Sequence, residues 1–495
     1  MNQKSATPKD AATVILLDQS LTEVLWAQRN PNLAFLGGYH AFPGGKLETT
    51  DAETKVINCE DTRLAKFIAC AARETFEEVG VLLARNGEKL TKGQRASLHD
   101  DLISGRSTFD EILAHWNLWI DAADFIYTGI WTTPAFSPVR FKTRFFLAVC
   151  PSRQKPYAAI SELRNVEFIK PKDALSRWEN SEVLITPPAL LSLKELSTND
   201  DLRLGAEKLL KKSQENDGQI RYIELNPRII CFPLRTETLP PATHTNCFII
   251  GGEEFIVVDA AAREKNEQDA LHELIDSLVE KNFVCREIIV SHLHKDHFGG
   301  ETALQKHLFD KFGLRVSLAA HRLTAESLRD KVKIERLIEG DERFRLKDKT
   351  GEMFDLKVLH APGHARGHLC FYDEETGFLL ASDNVVGSNS VVIALPEGNM
   401  QNYLDSLEKM RNLPNLKFLC GSHGSAIFNA KGKIDKYIEH RLERERKILS
   451  ALENGAKSIK EIIEKVYTDI LPELYNLAEK SIKAHLEKLK SDGKI

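Results

Sequence analysis

A multidomain α/β architecture follows from three observations on the 495-residue sequence. Single hydrophobic cores stop growing at roughly 250 to 300 residues, so a chain this long divides into two to four domains. Short apolar runs rich in β-branched residues, such as Glu287-Ile288-Ile289-Val290, read as buried strands, and the first of them leads straight into a cluster of histidines. Apolar residues at helical spacing mark helices over 62–79 and again from Ile434 onward.

Composition (42% hydrophobic, 28% charged) is that of an ordinary globular protein, and a net charge of -5 argues against a globally basic nucleic-acid binder. The opening residues MNQKSATPKD hold no apolar signal core, and no run of about 18 apolar residues occurs, so the expectation is a cytoplasmic chain with no membrane partner. Eight cysteines are scattered without a CxxC, mostly inside apolar runs, which predicts buried free thiols in a reducing compartment.

In the first part of the chain, 12–17 and 23–28 read as early strands, 145–149 as a later one, and 95–120 as an inserted helical pair. Asp61 or Thr62 can cap a helix that buries Leu64, Phe67, Ile68, Ala71, Thr75 and Val79 and that Gly80 stops. Glu74, Glu77 and Glu78 share another face of that helix. Three crowded carboxylates repel one another unless a hard cation sits among them, so Mg²⁺ or Mn²⁺ bound with substrate phosphates is one reading. A solvated acidic face with an Arg73–Glu77 pair is the other.

The run Phe42-Pro43-Gly44-Gly45 with Arg73-Glu74-Thr75-Phe76-Glu77-Glu78-Val79-Gly80-Val81 resembles the box of the Nudix family. That resemblance implies an α/β/α sandwich in which Glu77 and Glu78 are the main metal ligands, Glu74 is a further ligand or the general base, and Gly45 offers its carbonyl. Arg73 would hold the glutamates in place. Gly45 and Arg73 are 28 positions apart, about twice the family's usual interval, so Glu48 and Asp51 both remain candidates for the first acid of the box. The insertion, Trp131-Thr132-Thr133-Pro134 and Thr186-Pro187-Pro188 resemble the coenzyme A diphosphatase branch. From Ser197 the chain turns polar and lysine-rich, which puts a domain boundary near 215 and the domain at 1–215.

The next domain, 216–430, is organised around Ser291-His292-Leu293-His294-Lys295-Asp296-His297-Phe298-Gly299-Gly300. On a loop leaving a strand, His292 and His294 can turn to one cation while Asp296 and His297 turn to another. Imidazole and carboxylate without thiolate suit zinc, iron or manganese in hydrolytic use. This loop resembles the signature of the metallo-β-lactamase superfamily, which implies an αβ/βα sandwich. By that likeness His364, in Pro362-Gly363-His364, completes the first metal's set with His292 and His294. Asp383 resembles the bridging aspartate, and His423 joins Asp296 and His297 on the second metal. Thr245-Asn246-Cys247-Phe248-Ile249-Ile250 and Phe255-Ile256-Val257-Val258-Asp259 resemble the opening strand pair. Ala260-Ala261 and Ser422 replace glycines common in the family. Two such cations bring a bridging water toward neutrality, which predicts hydrolysis without a covalent enzyme intermediate. Asp296 and Glu74 are the expected catalytic carboxylates of the two sites, and His368 is either a supporting or substrate-facing group or plain packing.

Past His423 the pattern is helical: one helix through Ile434, Tyr437, Ile448 and Leu452 to Asn454-Gly455, a second from Ser458, a third through Leu477, Ile482 and Leu489 to Asp492-Gly493. With His440-Arg441 and Arg444-Glu445 this resembles the winged-helix tail of the endoribonuclease, glyoxalase II-like branch, with the wing missing or rudimentary, and gives a domain 431–495. From Lys431 onward 15 Lys/Arg face 12 Asp/Glu, too small an excess for a nucleic-acid footprint, so a packing or homodimer role weighs equally.

The favoured expectation is a bifunctional hydrolase. A binuclear site with two Zn²⁺ (or Fe/Mn) would cleave an ester, thioester or phosphodiester, and a Nudix site would cleave a coenzyme A or nucleotide-like diphosphate with Mg²⁺ or Mn²⁺. The alternative is an RNA-processing endoribonuclease with a regulatory Nudix module. Asp383 and His423 are 40 positions apart, which leaves no room for the inserted clamp domain of the larger RNA-processing relatives.

Overall fold

A computed structural model describes residues 6–387, 390–468 and 474–495. The first five residues of the MNQKSATPKD stretch lie outside the described residues. The chain folds as two compact units, 1–223 and 224–495.

The first unit is built on an eight-stranded sheet whose central strand, Lys9–Leu17, pairs in parallel with Phe141–Val149, Val14 lying opposite Phe146. Side chains of a strand alternate between faces, and this strand is buried on both. Val14 and Leu16 pack with Phe67, Ile68 and Phe76 of the helix Thr62–Val79. Ile15 and Leu17 pack with Trp178, Leu193 and Leu209 on the other side. The result is the α/β/α sandwich expected from the sequence. Asp61 caps the helix Thr62–Val79 by accepting from Arg63 N and Leu64 N, and Gly80 ends it in the left-handed conformation (φ 68°). The inserted pair forms helices Lys92–Ile103 and Phe109–His115, each opened by a capping box. The long interval inside the box also finds its place: Val56–Ile57 pairs with Ile120–Asp121 in a small separate sheet, one insertion supporting the other.

Helix Ala206–Glu215 belongs to this unit. Its Ser213 hydroxyl accepts from Ile130 N (2.9 Å) and donates to Ile130 O (2.8 Å).

The second unit stacks two sheets. In the seven-stranded sheet, strand Glu254–Val258 is parallel to Val284–Val290, which is parallel to Ser317–His321. Ile249, Val257, Ile288 and Val290 face a helical layer that includes Leu271 and Ile275 of Lys265–Val279 and Leu304 and Leu308 of Glu301–Phe312. The intervening residues Phe248, Ile250, Ile256, Val258 and Ile289 are buried as well and point to the opposite face. In the five-stranded sheet, Phe378–Ser382 is parallel to Phe418–Gly421. Leu359, Tyr372, Leu379 and Leu419 pack on Tyr403 and Leu407 of Met400–Arg411 and on Ile434 and Tyr437 of Ala430–Glu453. Each sheet thus carries helices on one face, as in an αβ/βα sandwich.

Helix Ala430–Glu453 ends at Asn454, Ser458 caps Ile459–Val466 by accepting from Glu461 N, and Tyr475–Ser491 ends at Asp492. Ile448, Ile462, Ile463, Val466, Ile482 and Leu489 form their shared core. All eight cysteines are free, and all but Cys59 are buried. Among the described residues no helix is long and apolar enough to cross a membrane.

Candidate functional site

The seven histidine and aspartate positions singled out in the second unit converge at the carboxyl ends of its strands. His292, His294, Asp296 and His297 follow strand Val284–Val290, Asp383 follows Phe378–Ser382, and His423 follows Phe418–Gly421. His364 follows Met353–His360. Two groups result, His292, His294, His364 and Asp383 in one and Asp296, His297 and His423 in the other, with one ligand atom per residue within 4.8 Å of every other in its group. Asp383 reaches both. Its Oδ2 lies 3.5 Å from the Nε2 atoms of His364 and His297 and 3.9 Å from that of His292, and its Oδ1 lies 3.4 Å from His423 Nε2. Asp296 carboxylate oxygens lie 3.5 Å from His423 Nε2 and 3.9 Å from His297 Nε2. His297 Nε2, His364 Nε2 and Asp383 Oδ1 are buried without a hydrogen-bond partner. Buried polar atoms without partners are rare, and three aimed into one cluster fit cations.

The far side of each ring explains why these nitrogens face inward. His364 Nδ1 donates to Val392 O (3.0 Å), His423 Nδ1 to His244 O (2.8 Å), and His297 Nδ1 to Asp259 Oδ2 (2.8 Å). An acceptor on Nδ1 puts the neutral ring's lone pair on Nε2. Asp259 is held in turn by Ser291, whose N and Oγ donate to its two oxygens (2.8 and 2.7 Å). Ser291 Oγ is 2.9 Å from Ser382 Oγ, and Ser382 Oγ is 3.2 Å from Ser422 Oγ, so hydroxyls tie the strand ends of the two sheets together. Ser422, standing where glycine is commoner, is thereby a working member of this link.

His368 is fully buried, and its Nε2 accepts from Asp383 N (3.2 Å). It supports the turn bearing Asp383 rather than facing a cleft. The role of Asp259 was missed in the sequence. Its signal was the same as that of Asp383, an apolar strand ending in an acid.

Electrostatics separates the rings. Burial, then the neighbouring imidazoles, holds His292 and His364 well below the ordinary histidine value, and burial lowers His294 too. Burial is the largest influence on His297 and His423 and opposes their charge, yet the surrounding carboxylates, Asp383 first, with Asp296 and for His297 also Asp259, together outweigh it and raise both. Asp383 is driven well below the usual carboxylate range by the same two rings, against its own burial. Without a cation the second nest holds protons where a metal would sit, so loading it releases protons.

The glutamate helix of the first unit is arranged differently. Arg73 is buried and donates through Nε and Nη2 to both oxygens of Asp51 (2.8 and 3.0 Å), through Nη2 to Lys46 O (3.0 Å), and through Nη1 to Glu74 (3.0 Å) and Glu77 (2.9 Å). Of the two candidate first acids, Asp51 is the one that grips the arginine, and its Oδ2 also accepts from Glu48 N (2.7 Å). Glu78 Oε2 accepts from Gly44 N (2.8 Å). A Cβ on Gly45 would lie 2.5 Å from the Glu74 carboxylate, so glycine lets the loop backbone approach that acid. Burial, with the neighbouring acids adding to it, pushes Glu74 up to about 7 and Glu78 to about 8. Glu77 is raised as well, by burial opposed by Arg73. With Glu77 turned to Arg73 and Glu78 to Gly44, the three glutamates form no group as tight as the histidine nests among the described residues.

The matched domains and relatives are those of a hydrolase. Residues 240–423 match the metallo-beta-lactamase superfamily, 61–196 the NUDT19 Nudix domain, and 458–495 the beta-lactamase associated winged helix domain. The chain is 29% identical to a beta-lactamase-like protein 2 homolog of Caenorhabditis elegans over 51% of its own length and 80% of that protein's. It is 28% identical to an atrochrysone carboxyl ACP thioesterase of Pseudocercospora fijiensis over 58% of its length and 82% of that protein's. With the putative nudix hydrolase 7 of Caenorhabditis elegans it shares 28% identity, over 46% of its length and 72% of the other. The chain is a hydrolase that joins a Nudix domain to a metallo-β-lactamase domain with its associated winged-helix segment, and both of those hydrolase families bind divalent metals.

Proposed function

We propose that the chain is a two-site metal-dependent hydrolase. The cluster in the second unit cleaves an acyl thioester, and the glutamate helix of the first unit cleaves a diphosphate-containing small molecule such as a coenzyme A or nucleotide derivative. The observation that carries this reading is the place of Asp383, within 3.9 Å of Nε2 atoms from both nests, beside buried nitrogens of His297 and His364 that have no other partner.

In this reading His292, His294 and His364 hold one ion, Asp296, His297 and His423 the other, and Asp383 both; the donor set suits zinc, iron or manganese. When bound, such a pair supplies a nucleophilic water at neutral pH and polarises the carbonyl under attack. The chain's own residues orient the donors: Asp259 and the carbonyls of Val392 and His244 fix the rings. In this reading Asp296 would take a proton as water opens the thioester to acid and thiol. In the first unit Glu74, Glu77, Glu78 and the Gly45 carbonyl would hold magnesium or manganese against a diphosphate, with Glu74, raised to about 7, suited to act as a base. The thioester class is supported by similarity to a protein named as a thioesterase.

Two single variants test the division of labour. Glu77→Gln is expected to abolish Mg²⁺-dependent diphosphate hydrolysis and leave thioester hydrolysis intact, and Asp296→Ala to do the reverse. Loss of both activities in either folded variant overturns the two-site reading.

A further inference from the structure

Helix Ala430–Glu453 does more than cover the outer face of the five-stranded sheet. Lys433, Tyr437 and Arg441 are spaced four residues apart, so they project from one face, and each meets backbone of 384–387 or 390–393, after Asp383. Lys433 Nζ donates to Gly387 O (3.4 Å). The Tyr437 hydroxyl accepts from Val386 N (3.3 Å) and lies 3.2 Å from Val386 O, to which it donates. Arg441 Nη2 donates to Val391 O. Neighbours of these residues touch the cluster. Val392 O accepts from His364 Nδ1 (3.0 Å), and Gly387 N donates to His423 O (2.8 Å). Arg441 is buried, and its Nε has no hydrogen-bond partner. A side chain needed only to fill space would not carry a buried guanidinium at that desolvation cost.

We propose that Tyr437 and Arg441 are positioning residues for the metal centre: from the helix, Tyr437 fixes Val386 beside the Gly387 amide that anchors His423, and Arg441 fixes Val391 beside the Val392 carbonyl that aims His364. This rests on reading the cluster as a metal centre, and the two can fail separately.

The test uses the full chain carrying Arg441→Met, Arg441→Lys or Tyr437→Phe, with Glu439→Gln, exposed on the same helix, as control. Zinc affinity is measured by competition with a chromophoric chelator, beside the thermal midpoint of each variant. Arg441→Met and Tyr437→Phe are expected to bind zinc about tenfold more weakly, the range seen when outer-shell support of a ligand is lost. Arg441→Lys should recover part of the loss, and Glu439→Gln should match the wild type. Wild-type protein that takes up no zinc overturns the metal-centre reading and this proposal with it. Wild type that binds zinc, with both variants at wild-type affinity, overturns this proposal alone, even where their midpoints fall, because packing alone moves only the midpoint. If Arg441→Met does not fold, Tyr437→Phe, which removes one hydroxyl, decides.

Discussion

Glu74 and Glu78 give the first unit an unusual pH response. Both carboxylates are raised, chiefly by burial, from an ordinary value of 4.5 to about 7 and about 8. Between pH 4.5 and 8 the folded state therefore binds more protons than the unfolded one, and without divalent metal the contribution of these groups to stability falls as pH rises through that window. A cation among the carboxylates reverses the penalty. The rise in thermal midpoint on adding Mg²⁺ is accordingly expected to be small at pH 5 and larger at pH 8. An increment that is equal at both pH values, or larger at pH 5, would contradict this assignment. The three glutamates were legible from their helical spacing alone. That Asp51, not Glu48, grips Arg73 was not, because the choice depends on how the inserted residues between Gly45 and Arg73 fold back.

At the scale of elements, the site depends on strands that stop abruptly at one edge. Asp259, which follows Glu254–Val258, and Ser382, which ends Phe378–Ser382, adopt positive φ (58° and 45°), which turns the chain out of the sheet where side chains must converge. The glycines nearby are steric requirements. A Cβ on Gly300 would lie 2.5 Å from Ala262 O and 2.6 Å from Ala260 O, and one on Gly363 would lie 2.3 Å from Tyr403 backbone atoms. Gly300 N also donates to Ala260 O (3.0 Å), which docks the end of the metal loop on the chain after Asp259. Gly300→Ala should cost about 1 to 3 kcal/mol by forcing those backbones apart. It should also lower zinc uptake, since His292 to His297 ride on that loop. Chemical denaturation and metal analysis check both, and wild-type values of each would refute the docking role. The motif was plain in the sequence, but the partner that makes its last glycine necessary, the Ala260-Ala261-Ala262 backbone, lies some 40 positions earlier and becomes a neighbour only in the folded sheet.

For the whole molecule, salt dependence separates the proposed thioester substrate from RNA. An RNA held through several Lys or Arg contacts binds steeply worse as salt rises, whereas a small thioester does not. Acyl-coenzyme A hydrolysis with a shallow salt slope, and no cleavage of single-stranded RNA, is expected. RNA cleavage with a steep slope and untouched acyl-coenzyme A would overturn the thioester reading. The sequence by itself marked the main strands and helices, the helix limits at Gly80, Ser458 and Asp492, and the metal-type side chains from His292 to His297, while the layers and the roles of His364, Asp383 and His423 were expected through family resemblance. Periodicity, capping chemistry and ligand type are local properties, readable within a few residues. Only the tertiary structure decided that Asp259 and Ser291 brace His297, and that Tyr437 and Arg441 grip the backbone at Val386 and Val391. Those contacts join positions tens of residues apart through strand order and sheet stacking, and no local pattern encodes them.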